Sequence, residues 1–507
     1  MKIFPTASIK RIDAYTIEHE PIASVMLMER AASVLTRAIV ERHPKGSFAI
    51  FAGPGNNGGD ALAVARMLAV AGRAVRVWLV APSLRLSADC EVNLRSLQAM
   101  KESFNIELNI VESEFKAPGL LPGEVVIDGL FGSGLTRPVE GLFASVIHSI
   151  NSFAGEVVAI DIPSGLMGED NSNNIIENIV RATVTYTLQF PKLAMLFAEN
   201  ACFVGDVQVL DISLSPEAMQ QEPSPYKLTL PEDVSHLLPK RAKHAHKGNF
   251  GRALLVAGCE GMAGASVLSA RGALRSGVGL LTLAVPRCNN TILQCAVPEA
   301  MTMPSSGEKH ITNIPPAGKY TAVAVGPGLG THAETEKAFL EFITNCRVPM
   351  VLDADALNIL SCNKEYLSRL PEGSIITPHI GEFTRLAGVC SGSYERLQRA
   401  VELARECNIT VVLKGAYTAV VAPCGECFFN TTGNAGMATG GSGDVLTGIL
   451  LALLAQGIPS VDVARLGVCV HGMAGDVAAT QKGKTALVAG DIVEALPQVW
   501  RGIEGRE

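Results

Sequence analysis

The feature that most restricts the fold is a recurring unit: a short apolar run, a glycine or acidic loop, then a stretch with helical spacing. It occurs at residues 48–51, 125–128 and 157–161, and again at 254–257, 322–325, 350–353, 375–379 and 411–414. Short apolar runs bounded by turn residues are buried strands. Strands that alternate with helices demand crossover connections and hence a parallel sheet covered on both faces. The expected fold class is α/β. In such sheets the carboxyl ends of the strands open into one crevice, so residues far apart in sequence meet there.

With 507 residues the chain exceeds one ordinary core. Residues 213–225 are polar and proline-rich with little to bury. The expected division is a domain at 1–215, a linker at 216–228 and a domain at 229–507. In the first domain, apolar spacing predicts helices from Ser8 to about Val40, and a helix at 61–71 behind Gly53-Pro-Gly-Asn-Asn-Gly-Gly-Asp60. That loop has the place of a phosphate cradle but not the G-x-G-x-x-G spacing, and it supplies side-chain oxygens. Asn56, Asn57, Asp60, Asp128, Asp161 and Ser164 are expected to converge. Oxygen donors without His or Cys suit a hard cation, although any one of these acids could equally cap a helix.

In the second domain, Thr439-Gly-Gly-Ser-Gly-Asp444 precedes the apolar run 445–450. Read as a loop feeding a buried helix, it aims main-chain N–H groups and a positive dipole end at one spot, which suits an anion. Asp444 at its rim then reads as a proton acceptor beside a phosphoryl group in transfer. The alternative is a plain glycine turn capping a core helix. His244 and His246 are read as surface or substrate-loop residues rather than metal ligands. Cys424 and Cys427 are read as incidental thiols of a hairpin, since no second pair closes a zinc site.

Composition narrows the partners. A net charge of −7 without a basic run argues against nucleic acid. No apolar stretch approaches the ~20 residues of a membrane span, and no secretory segment is visible. The twelve cysteines are scattered singly, so a reduced cytoplasmic setting is expected. A homo-oligomer acting on small molecules is the expected form.

These motifs carry a resemblance. Through N-N-G-G-D at 56–60, D-G-L-F-G-S-G-L-T-R-P at 128–138, D-I-P-S-G at 161–165 and Q-F-P-K at 189–192, the first half resembles NAD(P)H-hydrate epimerase domains. Through H-K-G at 246–248, G-P-G-L-G at 326–330, T-P-H-x-G-E at 377–382, Lys414-Gly415 and G-G-S-G-D at 440–444, the second resembles ADP-dependent NAD(P)H-hydrate dehydratases, a ribokinase-like branch. Alanine stands at position 61, where a glycine is common. The chain thus looks like a fused repair enzyme with a Rossmann-like α/β/α domain followed by a ribokinase-like α/β/α domain.

The resemblance implies the following roles. Asn57, Asp128 and Ser164 would hold potassium. Asn56, Asn57, Gly58, Gly59, Asp60, Gly132, Ser133, Gly134, Leu135, Thr136, Arg137, Pro138 and Asp161 would contact the hydrate in the epimerase half. Asp161 would shuttle the proton. In the dehydratase half Ala265, Gly328, His379 and Asp444 would contact the hydrate, with Asp444 as the catalytic base. Lys414, Gly415, Ala416, Tyr417, Thr418 and Gly443 would hold ADP, accompanied by Mg2+. The substrates implied are the hydrates of NADH and NADPH (NADHX and NADPHX). The rival reading is a small-molecule kinase with a non-catalytic first module.

Overall fold

The structure is a computed structural model that describes residues 1–83, 85–121 and 123–505. It falls into two compact units, one of Lys2–Ser224, the other of Pro225–Ser391 with Glu395 onward. Among the described residues no helix is long and apolar enough to cross a membrane.

Seven of the described strands of the first unit form one sheet. Its spatial order is Ile106–Val111, Val75–Val80, Ser47–Ala52, Glu124–Gly129, Val157–Ile160, Val184–Leu188, Asp206–Leu210. Every pair is parallel. The chain runs outward from Ser47–Ala52 to one edge, then returns to build the other side from Glu124–Gly129. Ligand crevices of doubly wound sheets lie at that reversal. The edge strand Ile106–Val111 has a mixed polar pattern and was invisible to the apolar-run criterion.

The helix after the first strand starts earlier than its apolar pattern suggests. It spans Asn56–Val70, not 61–71, with Gly55 as N-cap. N-N-G-G-D is therefore the first turn of the helix itself and not a loop ahead of it. Gly58 is required there by close approach, because a methyl group would overlap the Gly53 carbonyl.

Residues 216–228, expected as a linker, include the division between the units and carry regular structure on either side of it. Pro216–Gln221 is a helix with proline in its first turn. The Ser215 hydroxyl accepts its Ala218 N–H at 3.3 Å, and Ala218 is buried with Phe4, Ile12 and Leu214. Tyr226–Thr229 is a strand paired parallel with Cys427–Asn430 in the second unit. Capping, the buried Ala218 and Lys2 Nζ, which donates to the carbonyls of Met219, Gln220 and Glu222 at 3.1, 2.8 and 2.8 Å, order a segment whose composition looks like a tether.

From Tyr226–Thr229 the second sheet continues through Cys427–Asn430, Ala419–Val421, Thr410–Leu413, Ile375–Ile376, Met350–Leu352, Ala322–Val325, Arg252–Val256, Leu280–Val285 and Met301–Pro304. Ala419–Val421 runs antiparallel to both neighbours; the remaining pairs are parallel. The expected Cys424/Cys427 hairpin is present, and both thiols are free. The reversal here falls between Arg252–Val256 and Ala322–Val325. Directly beyond it the Gly258 N–H donates to the Pro327 carbonyl at 2.9 Å. The apolar run behind G-G-S-G-D forms the helix Ser442–Ala455, whose residues from Val445 to Ala455 are all buried.

Two candidate active sites

In the first unit, the ends of Ser47–Ala52, Glu124–Gly129 and Val157–Ile160 surround a cavity of about 560 Å³. Asn56, Asn57, Asp60, Gly132, Ser133, Gly134, Leu135, Thr136, Arg137 and Asp161 line it, as the motif reading expects. Gly58, Gly59 and Pro138 do not. The two glycines lie within the first turn of the helix, buried, because their use is to let other backbone and side chains approach.

Asp161 has left-handed backbone, φ 67°. A non-glycine residue there costs of order 1–3 kcal/mol and clusters at functional sites. Its carboxylate accepts the Leu188 N–H at 3.2 Å and the Ser133 N–H at 3.4 Å, and it is ion-paired with Lys192. Among the described residues Lys192 is the one buried lysine or arginine. Its ammonium also donates to Thr187 Oγ1 at 2.9 Å and the Phe190 carbonyl at 3.1 Å. The Q-F-P-K motif contained this lysine, but nothing in the sequence links it to Asp161, 31 residues earlier.

Asp128 is fully buried. It accepts the Ser164 hydroxyl at 2.6 Å, the Ser164 N–H at 2.7 Å and the Leu130 N–H at 3.2 Å. No lysine or arginine of the described residues bridges to it, and burial pushes its carboxyl up to about 6. Asn57 Oδ1 lies 3.2 Å from where a Cβ on Gly132 would stand, and Asn57 Nδ2 is buried without a partner. A buried carboxylate without an ionic partner among the described residues, beside a hydroxyl and an amide oxygen, fits a hard cation.

In the second unit, Gly441 is the N-cap of Ser442–Ala455 with φ 89°, a left-handed bend that glycine adopts at no steric cost. It leaves the first-turn amides without intrahelical acceptors. A Cβ on Gly443 would lie 3.5 Å from both Asp353 Oδ2 and Lys414 Nζ. The amide hole and the ammonium are therefore adjacent. Lys414 Nζ bonds Asp353 Oδ1 at 2.7 Å and stands 3.8 Å from Glu382 Oε2. Thr447 Oγ1 donates to Asp353 Oδ2 at 2.8 Å, which fixes that carboxylate from the helix side. Burial, then the negative charge of Asp353, push Asp444 up to about 6. Ser442 Oγ lies 3.3 Å from Nε2 of buried His471, whose imidazole is pushed down to about 4 by burial.

The other expected residues of this unit lie in three places. Ala265 and Gly328 meet at the sheet reversal, with 3.0 Å between the Ala265 Cβ and a Cβ built on Gly328. Gly415, Ala416 and Tyr417 form an exposed turn closed by Thr418 Oγ1, which donates to the Gly415 carbonyl at 2.9 Å. His379 caps Ile380–Ala387, its Nδ1 accepting the Gly381 N–H at 2.9 Å, with the ring exposed. His246 does likewise for Gly248 at 3.1 Å, a local capping role.

Comparison with known proteins follows the same division. A sequence family described as YjeF-related protein N-terminus matches residues 24–194, and one described as NAD(P)H-hydrate dehydratase matches residues 253–498. The chain is 37% identical to the bifunctional NAD(P)H-hydrate repair enzyme of Moorella thermoacetica, over 99% of this chain and 97% of the relative. It is 36% identical to that of Thermofilum pendens, with the same coverage. Among solved structures, a ribokinase-like superfamily protein of Enterococcus faecalis is 26% identical with a TM-score of 0.50, covering 55% of this chain and 97% of its own.

Proposed function

Because this chain belongs to the family of bifunctional NAD(P)H-hydrate repair enzymes, we propose that its two crevices carry the two activities, epimerisation in the first unit and dehydration in the second. The observation that supports the second assignment most is Asp444. It is a carboxyl pushed up to about 6, next to unpaired helix amides and a lysine.

Hydroxide is a poor leaving group and phosphate a good one. Asp444 takes the proton of the hydrate's hydroxyl, whose oxygen attacks the terminal phosphorus of ADP and releases AMP. The amides of residues 441–443 and the Lys414 ammonium neutralise charge on the moving phosphoryl group, an effect worth ~10²–10³ in rate per donor. Phosphate then leaves as the ring nitrogen's electron pair forms a C=N bond. Loss of a proton from the neighbouring ring carbon restores the dihydronicotinamide. Tyr417, 39% exposed, offers a face for the adenine. Glu382, 3.8 Å from Lys414 Nζ, and Asp355, whose charge reaches Asp444, are the carboxylates that would hold magnesium, which would supply positive charge against the phosphates.

In the first unit, Asn57, Asp128 and Ser164 would hold potassium, whose charge offsets that of buried Asp128. Asp161, oriented by Lys192 and the Ser133 amide, moves the proton of the hydrate's hydroxyl. The loop 132–138 with Arg137 closes over the dinucleotide.

Supplied with purified R hydrate and ADP, the protein is expected to restore dihydronicotinamide absorbance completely. Recovery limited to S hydrate would remove the epimerase assignment. The base also sets a pH dependence. Asp444 must be ionised to accept a proton, so dehydration falls about tenfold per pH unit below about 6 and levels off above it. A kcat/KM profile flat down to pH 5 would contradict the role.

A further inference from the structure

The first cavity holds an acid without a part in the scheme so far. Asp13, on the helix Thr6–His19, lines the cavity along with Asp60, Asp161 and Lys192. Its carboxylate accepts no hydrogen bond from the described residues, and Asp161 and Lys192 are the charges it feels most. Asp60, buried on the Asn56–Val70 helix, feels both Asp161 and Asp13. Lys10 on Asp13's own helix and Arg137 on the facing loop stand at the same cavity. Asp13 and Asp161 thus share one buried ammonium, which is hydrogen-bonded to Asp161.

Burial and the charge of Asp161 push Asp13 up to about 6, while Asp60 stands well above the usual carboxyl range. Two carboxyls that line one cavity from separate elements can divide the acid and base roles of a reaction between them. The reaction calls for such a pair. Inverting the ring carbon that carries the added hydroxyl means losing oxygen from one face and regaining it on the other, and each face needs its own proton carrier.

We propose that Asp13 is the second catalytic carboxyl of the epimerase, acting from a different wall of the cavity than Asp161. This rests on the epimerase reading above. One carboxyl gives its proton to the leaving hydroxyl as the C–O bond breaks and the ring nitrogen's electron pair forms a C=N bond, so water departs. Water then adds to the opposite face. A new C–O bond forms, the pair returns to nitrogen, and the other carboxylate takes the surplus proton. Atoms and charge balance, with one proton passed from one carboxyl to the other. Solvent exchange returns it, so no oxidant or co-reactant is consumed.

The test uses the full-length protein and purified R hydrate without ADP, in ¹⁸O-labelled water, with the two epimers resolved chromatographically. Asp13→Asn is expected to lower kcat for R-to-S conversion by at least ~10² with KM little changed. Asp13→Glu should keep measurable turnover, and the wild-type profile of kcat should carry a limb near pH 6 that Asp13→Asn lacks. The wild type should take up label at the rate of inversion. Wild-type kcat in Asp13→Asn, or inversion without label uptake, would overturn the proposal. The urea midpoint reported by Trp78, in a Trp500→Phe background, checks that the first unit of each variant is folded. A wild-type protein that does not interconvert the hydrates would instead overturn the epimerase assignment itself.

Discussion

Asp444→Asn is expected to lower ADP-dependent dehydration by at least ~10², while R-to-S conversion by the same chain keeps its rate. The substitution preserves shape and removes only the ability to accept a proton. Stability should not suffer. A carboxyl near 3.8 in the unfolded chain and about 6 in the folded one favours the folded state less as pH rises between those values. Above pH 6 the ionised group is a net burden, so the neutral amide leaves the unfolding midpoint unchanged or raises it. Equal loss of both activities would mean that the two crevices do not work separately.

Lys192→Met should have the largest effect on the first unit. It strands the Asp161 carboxylate in a buried site, and removing one partner of a buried pair typically costs about 3–5 kcal/mol. Epimerisation should be lost with it. The chain offers a clean probe, because Trp78 lies in the first unit and Trp500 in the second, and there is no other tryptophan. In a Trp500→Phe background, the urea midpoint seen by Trp78 should fall sharply in Lys192→Met. Adding Asp161→Asn, which removes the stranded charge while tolerating the left-handed backbone and keeping an acceptor for the Leu188 N–H, should recover much of that loss without recovering activity. An unchanged midpoint in Lys192→Met would show the pair to be incidental.

How much of this could be read in the sequence follows from what sequence records. Asp128, Asp161 and Asp444 were legible because each marks a boundary between an apolar strand or helix and a glycine turn, and parallel-sheet geometry gathers such boundaries. The start of the first crevice helix was misplaced because two glycines inside a helix turn look like a loop until the close approach of Gly53 is seen. Asp13 and Lys10 were missed since they sit on an ordinary amphipathic helix, and only tertiary packing brings that helix to the crevice. The ordered segment at Pro216–Gln221 shows the same limit from the other side. Its composition is that of a tether, but the Ser215 cap, buried Ala218 and the distant Lys2 and Arg11 side chains hold it in place.

The claim on which the rest depends is that Asp444 and the adjoining amides turn a hydroxyl into a departing phosphate. ³¹P NMR of the protein turning over mixed hydrates with ADP, read against dihydronicotinamide absorbance, tests it directly. The account predicts one AMP and one inorganic phosphate for each dihydronicotinamide restored. A stable phosphorylated hydrate accumulating without return of absorbance, or absorbance returning while ADP stays intact, would contradict it.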